Sequence, residues 1–175
     1  MDKLLEIRNL VKEFHGRSLV ARKRSAFRAV DRVSFDIEKN TIFGLVGESG
    51  CGKTTVSRAI LHLDPPTSGD VCFSGTMLEG MSGRELRSYR RRMQIVFQDP
   101  AEAVSHRLKV LDAVREPLDI MGWHDRSMRD RKAIEAMASM QLPVTVDFLN
   151  RTCHALSGGQ RQRLAIARAM VTDPI

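Results

Sequence analysis

Cysteine is scarce in this sequence of 175 residues, with only three cysteines in the chain. Cys51, Cys72 and Cys153 lie far apart, their number is odd, and no two form a Cys-x-x-Cys pair. A disulfide-rich scaffold needs an even, closely spaced set, and a structural zinc site needs paired ligands. The cysteine pattern therefore excludes both and fits a reducing compartment.

Long apolar runs are also missing. The opening residues, MDKLLEIRNL, carry charges throughout and lack the apolar centre of a secretion signal. No apolar run approaches the roughly 20 residues that a membrane-spanning helix needs. We therefore expect a soluble or peripheral protein.

The charge is unbalanced towards the positive side. The formal net charge is +7, and hydrophobic residues make up 42% of the chain, which is enough for a buried core. A positive surface permits contact with phosphates, nucleic acid or an anionic membrane, and it is equally compatible with an ordinary solvated surface. The five histidines show no paired metal-ligand spacing, and we expect each at the surface: His15, His62, His106, His124 and His154.

Periodicity divides the chain into a β-rich part, an α/β part and a helical part. Alternating or short apolar segments predict strands over 4–11, 30–37, 41–46, 71–73 and 93–97, and helical spacing predicts helices over 54–63, 84–92, 110–118 and 128–140. The run TIFGLV at 41–46 is nearly all apolar, which is typical of a strand buried on both faces of a parallel sheet. The polar, basic stretch 17–28 predicts a loop or insertion.

A glycine-rich loop follows that apolar run. GESGCGKTT matches the pattern G-x-x-x-x-G-K-[ST] and lies between a predicted strand and a predicted helix. Glycines let successive backbone N–H groups face inward around phosphate oxygens. Lys53 supplies a positive charge for the β and γ phosphates, and the Thr54 hydroxyl is a ligand suited to Mg²⁺. The loop therefore predicts nucleotide binding by the residues Gly47, Glu48, Ser49, Gly50, Cys51, Gly52, Lys53, Thr54 and Thr55.

A second glycine motif, LSGGQ, opens the last predicted helix. Ser157 and Gln160 have the spacing of a capping box, in which each side chain bonds to the backbone of the other residue. Gly158 and Gly159 leave the first turn without side chains, although glycine is about 1 kcal/mol poorer than alanine inside a helix. This cost indicates a partner of phosphate size that needs close access to the free N–H groups.

Three segments in order, GESGCGKTT, VFQDP and LSGGQRQRLAIARAM, resemble the ATP-binding subunits of ABC transporters. The resemblance covers essentially the whole chain. The segments PPTSG, FQDP and REPL resemble most the ATPases of oligopeptide, dipeptide and nickel importers. This similarity implies a P-loop ATPase fold of the α/β class, with an antiparallel β subdomain, a parallel-sheet core like that of RecA, and a helical subdomain.

The resemblance also implies the roles of the matching residues. The loop 47–55 corresponds to the Walker A motif, and Gln98 to the Q-loop glutamine that contacts Mg²⁺ and the attacking water. Lys53 and Gln98 are then the catalytic candidates, and Thr54 and Gln98 the metal ligands. Residues Ser157, Gly158, Gly159 and Gln160 correspond to the signature that covers ATP held by an opposite subunit. Phe14 is the candidate for stacking on adenine, and Phe27 is its rival.

The same resemblance predicts how the chain is divided. Residues 1–97 correspond to the β subdomain and the Walker A part of the core, 98–156 to the Q-loop and helical subdomain, and 157–175 to the signature helix. The Walker B carboxylates and the switch histidine of the family have no counterpart here, so we expect a truncated ATPase that scarcely hydrolyses ATP. Asn40–Thr41, Ser105–His106 and Cys153 depart from the usual pattern.

The partners expected from the resemblance are a second ATPase subunit, identical or different, the permease subunits and, indirectly, a solute-binding protein. ATP and Mg²⁺ are the expected cofactors, and the cytoplasmic face of the inner membrane is the expected location. The alternatives are a nickel importer ATPase and a related ATPase that acts on nucleic acid. The basic segments 21–24 and 90–92 suit the second alternative, but they lack an aromatic platform for bases.

Overall fold

A computed structural model describes residues 2–15, 26–99 and 104–175 of the chain. These residues fall into two compact units, 1–87 and 88–175, and the division lies inside a helix. The predicted three-part division at 97/98 and 156/157 stays a prediction. The basic segment 21–24 lies outside the described residues, as do most residues of the predicted 17–28 loop.

The first unit contains a four-stranded antiparallel sheet with the order β2-β1-β3-β4. Its strands are β1 (Lys3–His15), β2 (Ala26–Glu38), β3 (Ser68–Phe73) and β4 (Thr76–Met77). The predicted strands 4–11, 30–37 and 71–73 are confirmed in kind, and β1 and β2 are longer than predicted. Leu5 and Ile7 on β1 are buried and lie opposite the buried Phe73 and Val71 on β3, because alternate residues of a strand point to the same side.

Two helices follow in sequence. Helix α1 (Lys53–Ile60) begins directly after the glycine loop, and Val56 and Ala59 are its buried residues. Helix α2 (Gly83–Arg92) is the predicted basic helix and ends in Arg90, Arg91 and Arg92. Both helices therefore confirm the periodicity, and no end differs from its predicted position by more than three residues.

The second unit is built on helices that share one apolar core. They are α3 (Val110–Ile120), α4 (Arg126–Ser139), α5 (Val146–Leu149) and α6 (Gly158–Met170), with a 3-10 turn at Cys153–Ala155. Helices α3, α4 and α6 pack on one another around Val114, Leu118, Met137 and Leu164, all of them fully buried. The signature motif is therefore fixed to this core by the helix that it opens.

Two predicted strands are not strands. Residues 41–46 and 93–97 lie in neither a strand nor a helix. Ile42 is fully exposed and Val46 is 92% exposed, so the expected burial on both faces is wrong here. A strand of a parallel sheet exists only when neighbouring strands take up its N–H and C=O groups. Within the described residues, the only sheet is antiparallel, and neither segment belongs to it.

One histidine also differs from its prediction. His62 follows α1 and is buried, with only 9% of its surface exposed, whereas the sequence predicts a surface position. Its Nε2 lies 3.7 Å from a carboxylate oxygen of Glu79. A polar side chain enters the interior when a partner there offsets the lost hydration, and spacing along the sequence does not reveal such a partner.

Candidate functional site

The glycine loop is shaped by two glycines in the left-handed region. Gly50 has a φ of 80°, and Gly52 has a φ of 97° and caps the N-terminus of α1. A Cβ atom at Gly52 would lie 2.4 Å from the carbonyl oxygen of Ala29 on β2. Two separate reasons therefore require glycine at position 52: its positive φ and the close approach of the loop to the sheet.

Lys53 turns its ammonium group back into the loop. Its Nζ donates hydrogen bonds to the carbonyl oxygens of Gly47, at 2.8 Å, and Glu48, at 2.7 Å. The Sγ of Cys51 lies 3.6 Å from the same Nζ. The lysine charge is therefore held over the concave side of a loop whose backbone lies at a helix N-terminus, which is an arrangement suited to an anion.

The group that this loop fits is a phosphate. Two left-handed glycines curl the backbone, a lysine ammonium faces the interior, and the helix N-terminus adds its partial positive charge. Thr54, the second residue of α1, is exposed and offers the hydroxyl oxygen that Mg²⁺ prefers as a ligand. Within the described residues, no three His, Cys, Asp or Glu side chains could together hold a metal ion.

The second motif forms the predicted capping box. Ser157 caps α6, and its Oγ accepts a hydrogen bond from the backbone N–H of Gln160 at 3.3 Å. In return the Oε1 of Gln160 accepts from the backbone N–H of Ser157 at 3.0 Å. This reciprocal pair fixes the start of the helix.

The two glycines of that first turn are not required by packing. A Cβ atom at Gly158 or Gly159 would meet nothing within 4 Å. Both residues are exposed, and neither has a positive φ. The open space above this helix start is therefore available to a ligand or to another chain.

A contact that the sequence did not predict also supports the turn. The Nη1 of Arg161 donates to the carbonyl oxygen of Leu156 at 2.6 Å, which stabilises the segment just before the cap. Cys153, three residues before Leu156, is buried, and burial raises the pKa of its thiol to about 11. This cysteine therefore stays a neutral thiol inside the core, and its sequence departure is accommodated as a small apolar group.

The remaining predicted site residues, Gln98, Phe14 and Phe27, lie outside the two glycine motifs. Gln98 is exposed and lies outside helices and strands. Phe14 and its rival Phe27 are opposite each other on β1 and β2, and they are 43% and 66% exposed. The Nζ of Lys12 lies 5.2 Å from the centre of the Phe14 ring. Both aromatics are thus available at one end of the hairpin, and the adenine contact stays a prediction.

None of the helices in the described part of the chain has the length and apolar character to cross a membrane.

Comparison with known sequences identifies peptide import proteins as relatives. A putative peptide import ATP-binding protein of Brucella ovis is 42% identical over 171 residues, which cover 98% of this chain and 51% of the relative. The oligopeptide transport ATP-binding protein OppF of Bacillus subtilis is 40% identical over 176 residues, 99% of this chain and 55% of the relative. The chain therefore spans about half the length of the curated relatives it matches.

Comparison with solved structures also finds ATP-binding cassettes. The dimeric structure of a bacterial ABC transporter cassette superimposes with a TM-score of 0.83 at 29% identity, covering 98% of this chain and 71% of that one. A dimeric post-hydrolysis state of the same cassette, bound to ADP and Pi, gives a TM-score of 0.82 with the same identity and coverage. The predicted cassette fold is thereby confirmed, although the strands 41–46 and 93–97 are not formed.

The family model for the ABC transporter matches residues 30–175, a range that contains both glycine motifs and the Gln98 segment. The glycine loop, the capped signature helix and this match agree: the chain belongs to the ABC transporter family of ATP-binding cassettes.

Proposed function

We propose that the chain is the ATP-binding part of a subunit that powers the import of peptides by an ABC transporter. The loop 47–55 binds the phosphates of ATP, with Lys53 against the β and γ phosphates and Thr54 on Mg²⁺. The observation that carries this proposal is the inward ammonium of Lys53 in a loop held by left-handed Gly50 and Gly52. Family membership and the names of the relatives supply the class of transported solute.

The partner of the signature is a second ATP-binding subunit. In our proposal, residues 157–160 of one copy cover the ATP that is held by the Walker A loop of the other. Two observations support this pairing: the unobstructed first turn of α6, and the dimeric state of the structural relatives. Gln98 contacts Mg²⁺ and the attacking water, and Phe14 stacks on adenine. Permease subunits in the inner membrane hold the pair at its cytoplasmic face.

The two alternatives receive no support from these relatives, which are named for peptide, dipeptide and oligopeptide transport. Nickel import and an action on nucleic acid therefore stay outside the proposal.

Titration of the purified chain with ATP and Mg²⁺ by calorimetry tests the proposal. Lys53→Ala removes the charge against the phosphates, and we expect it to weaken binding by about tenfold or more, because charge-assisted hydrogen bonds contribute about 1.5–3 kcal/mol. Lys39→Ala is the matched control, since Lys39 lies in the same unit and pairs with Asp2. Equal affinities of the parent and the Lys53 variant contradict the proposal, as does an equal loss in the control.

A further inference from the structure

Two histidines far apart in the sequence lie side by side in the second unit. The ring centroids of His106 and His154 are 6.2 Å apart, and their planes are inclined by 52°. Both residues are exposed. His106 and His154 come together only when the segment around His106 folds against the segment that precedes the signature helix. Spacing along the sequence therefore does not show them as a pair.

Backbone hydrogen bonds hold these two segments together. The N–H of His154 donates to the carbonyl oxygen of His106 at 3.2 Å, and the N–H of Cys153 donates to that of Leu108 at 2.9 Å. An isolated antiparallel bridge joins Lys109 to Thr152. The buried Cys153 fixes the second segment to the core. The rings are therefore attached to two backbones of defined separation, which favours joint binding of one ligand.

The separation suits a shared metal ion. Imidazole nitrogens bind Zn²⁺ and similar ions at about 2.0–2.1 Å, so the ion lies about 3 Å from each ring centre, and two rings that share it at tetrahedral or octahedral angles are about 4–5 Å apart. The rings, 6.2 Å apart here, must therefore approach each other by about 1–2 Å, which rotation of two exposed side chains allows. We propose that His106 and His154 together bind one divalent transition-metal ion at the surface of the helical unit.

Two of the neighbouring positive side chains, Lys109 and Arg151, are engaged elsewhere. The Nζ of Lys109 donates to the Oδ1 of Asn150 at 3.1 Å, and the guanidinium of Arg151 lies 5.6 Å from the centre of the Phe148 ring. The approach to the pair is thus not occupied by these two cations. Two protein ligands leave the other coordination positions to water, which makes the site an open one that exchanges its ion with solvent.

The proposed metal site lies close in sequence to the start of the signature helix. His154 belongs to the 3-10 turn Cys153–Ala155, and the cap Ser157 follows two residues after that turn. An ion bound to both rings adds a second connection between the segment at 106–109 and this turn. The metal would therefore restrict the segment from which the signature helix begins.

Calorimetric titration of the tag-free chain with Ni²⁺ tests the proposal, because nickel prefers imidazole whereas thiolate ligands select softer ions. We expect one ion per chain. His106→Ala and His154→Ala should each weaken binding by about tenfold or more, and the double variant little further, because a single imidazole lacks the effective concentration of its neighbour. His124→Ala, at another exposed histidine of the same unit, should bind as the parent does.

The controls separate an intramolecular pair from other sources of binding. Far-UV circular dichroism checks that each variant is folded, and the corresponding Gln variants replace any Ala variant that is not. An equimolar mixture of the two single variants should not recover the affinity, whereas an ion held between two chains would be recovered. Unchanged binding in either single variant, an equal loss in His124→Ala, or recovery in the mixture overturns the proposal.

Discussion

Gly158 and Gly159 occupy the first turn of a helix, where an added Cβ atom would meet no atom of the described chain within 4 Å apart from its neighbours and the helix's own backbone. Glycine is a poor helix former, since its backbone loses more freedom on folding than that of any other residue. A packing need explains Gly52, whose Cβ would collide with Ala29, but it does not explain this pair. The two glycines are therefore best explained by what approaches the helix from outside.

This interpretation predicts opposite effects on stability and on function. Gly159→Ala should raise the free energy of unfolding by up to about 1 kcal/mol, because alanine is the better helix former. The same change should weaken ATP-dependent association of two chains, because in the proposed function the partner's nucleotide approaches this position. Urea denaturation and sedimentation in the presence of ATP measure the two effects.

Gly83→Ala is the matched control. Gly83 is the first residue of α2, and a Cβ atom there also meets nothing within 4 Å. The change should raise stability in the same way and leave association with ATP unchanged. A fall in stability for Gly159→Ala, or equal effects of both changes on association, would contradict the assigned role of the signature glycines.

At the scale of elements, an ion-pair group fastens β1 to β2. Asp36 on β2 pairs with Arg8 and Lys3 on β1, and the distance from its carboxylate to the Nζ of Lys3 is 2.9 Å. The hydrogen bond from Arg8, followed by that from Lys3, lowers the pKa of Asp36 from 3.8 to about 2. The carboxylate is thus held in its charged form by the neighbouring strand.

The lowered pKa fixes the direction of a pH effect. Because Asp36 binds a proton less readily in the folded chain, its contribution to stability is present above the ordinary pKa of 3.8 and is lost as the pH falls towards about 2. Asparagine does not titrate, so Asp36→Asn should lack the loss of unfolding free energy that protonation of Asp36 causes in the parent. Urea denaturation of parent and variant at pH values on both sides of that window measures it.

Asp31→Asn serves as the comparison. Asp31 is also on β2 and pairs with Arg28 and Arg32 of the same strand, so this change removes no direct ion pair between β1 and β2. An acid dependence of Asp36→Asn equal to that of the parent would show that the strand pair does not rely on the ion pair.

Element positions follow from the sequence where an element's own residues determine it. The amphipathic spacing of α3 and α4, the alternation of β1 and β2, and the capping box of α6 are all local patterns, and each is confirmed. The strands 41–46 and 93–97 are predicted from short apolar runs, the first of them bounded by turn signals, and a parallel strand depends on neighbours that a local pattern cannot supply. The approach of His106 to His154 likewise depends on tertiary structure.

The candidate site likewise combines features that local motifs predict with features that depend on tertiary structure. The glycine positions, the lysine and the serine–glutamine pair are determined by motifs of fixed spacing, so the sequence located them. The hydrogen bonds of Lys53 to the loop carbonyls and the contact of Gly52 with Ala29 could not be predicted, because they depend on how the loop folds back on the sheet. The burial of His62 beside Glu79 also depends on tertiary folding, so spacing along the sequence does not predict it.

At the scale of the whole molecule, the chain presents two parts of an ATP site that the proposed function combines between two copies. In that proposal the loop 47–55 is the phosphate cradle, and residues 157–160, at the exposed start of α6, are the second part. In a head-to-tail pair, each nucleotide contacts the loop of one copy and the signature of the other. Inactivating one motif in one copy and the other motif in its partner should therefore leave one complete site.

The most direct measurement is the ATP-dependent association of two such variants, followed by analytical ultracentrifugation. Lys53→Ala removes the cradle's charge, and Gly159→Glu places a carboxylate at the signature, where it repels phosphate. Neither variant should associate by itself in the presence of ATP and Mg²⁺, whereas their equimolar mixture should associate. A mixture that associates no better than either variant alone would contradict the shared site.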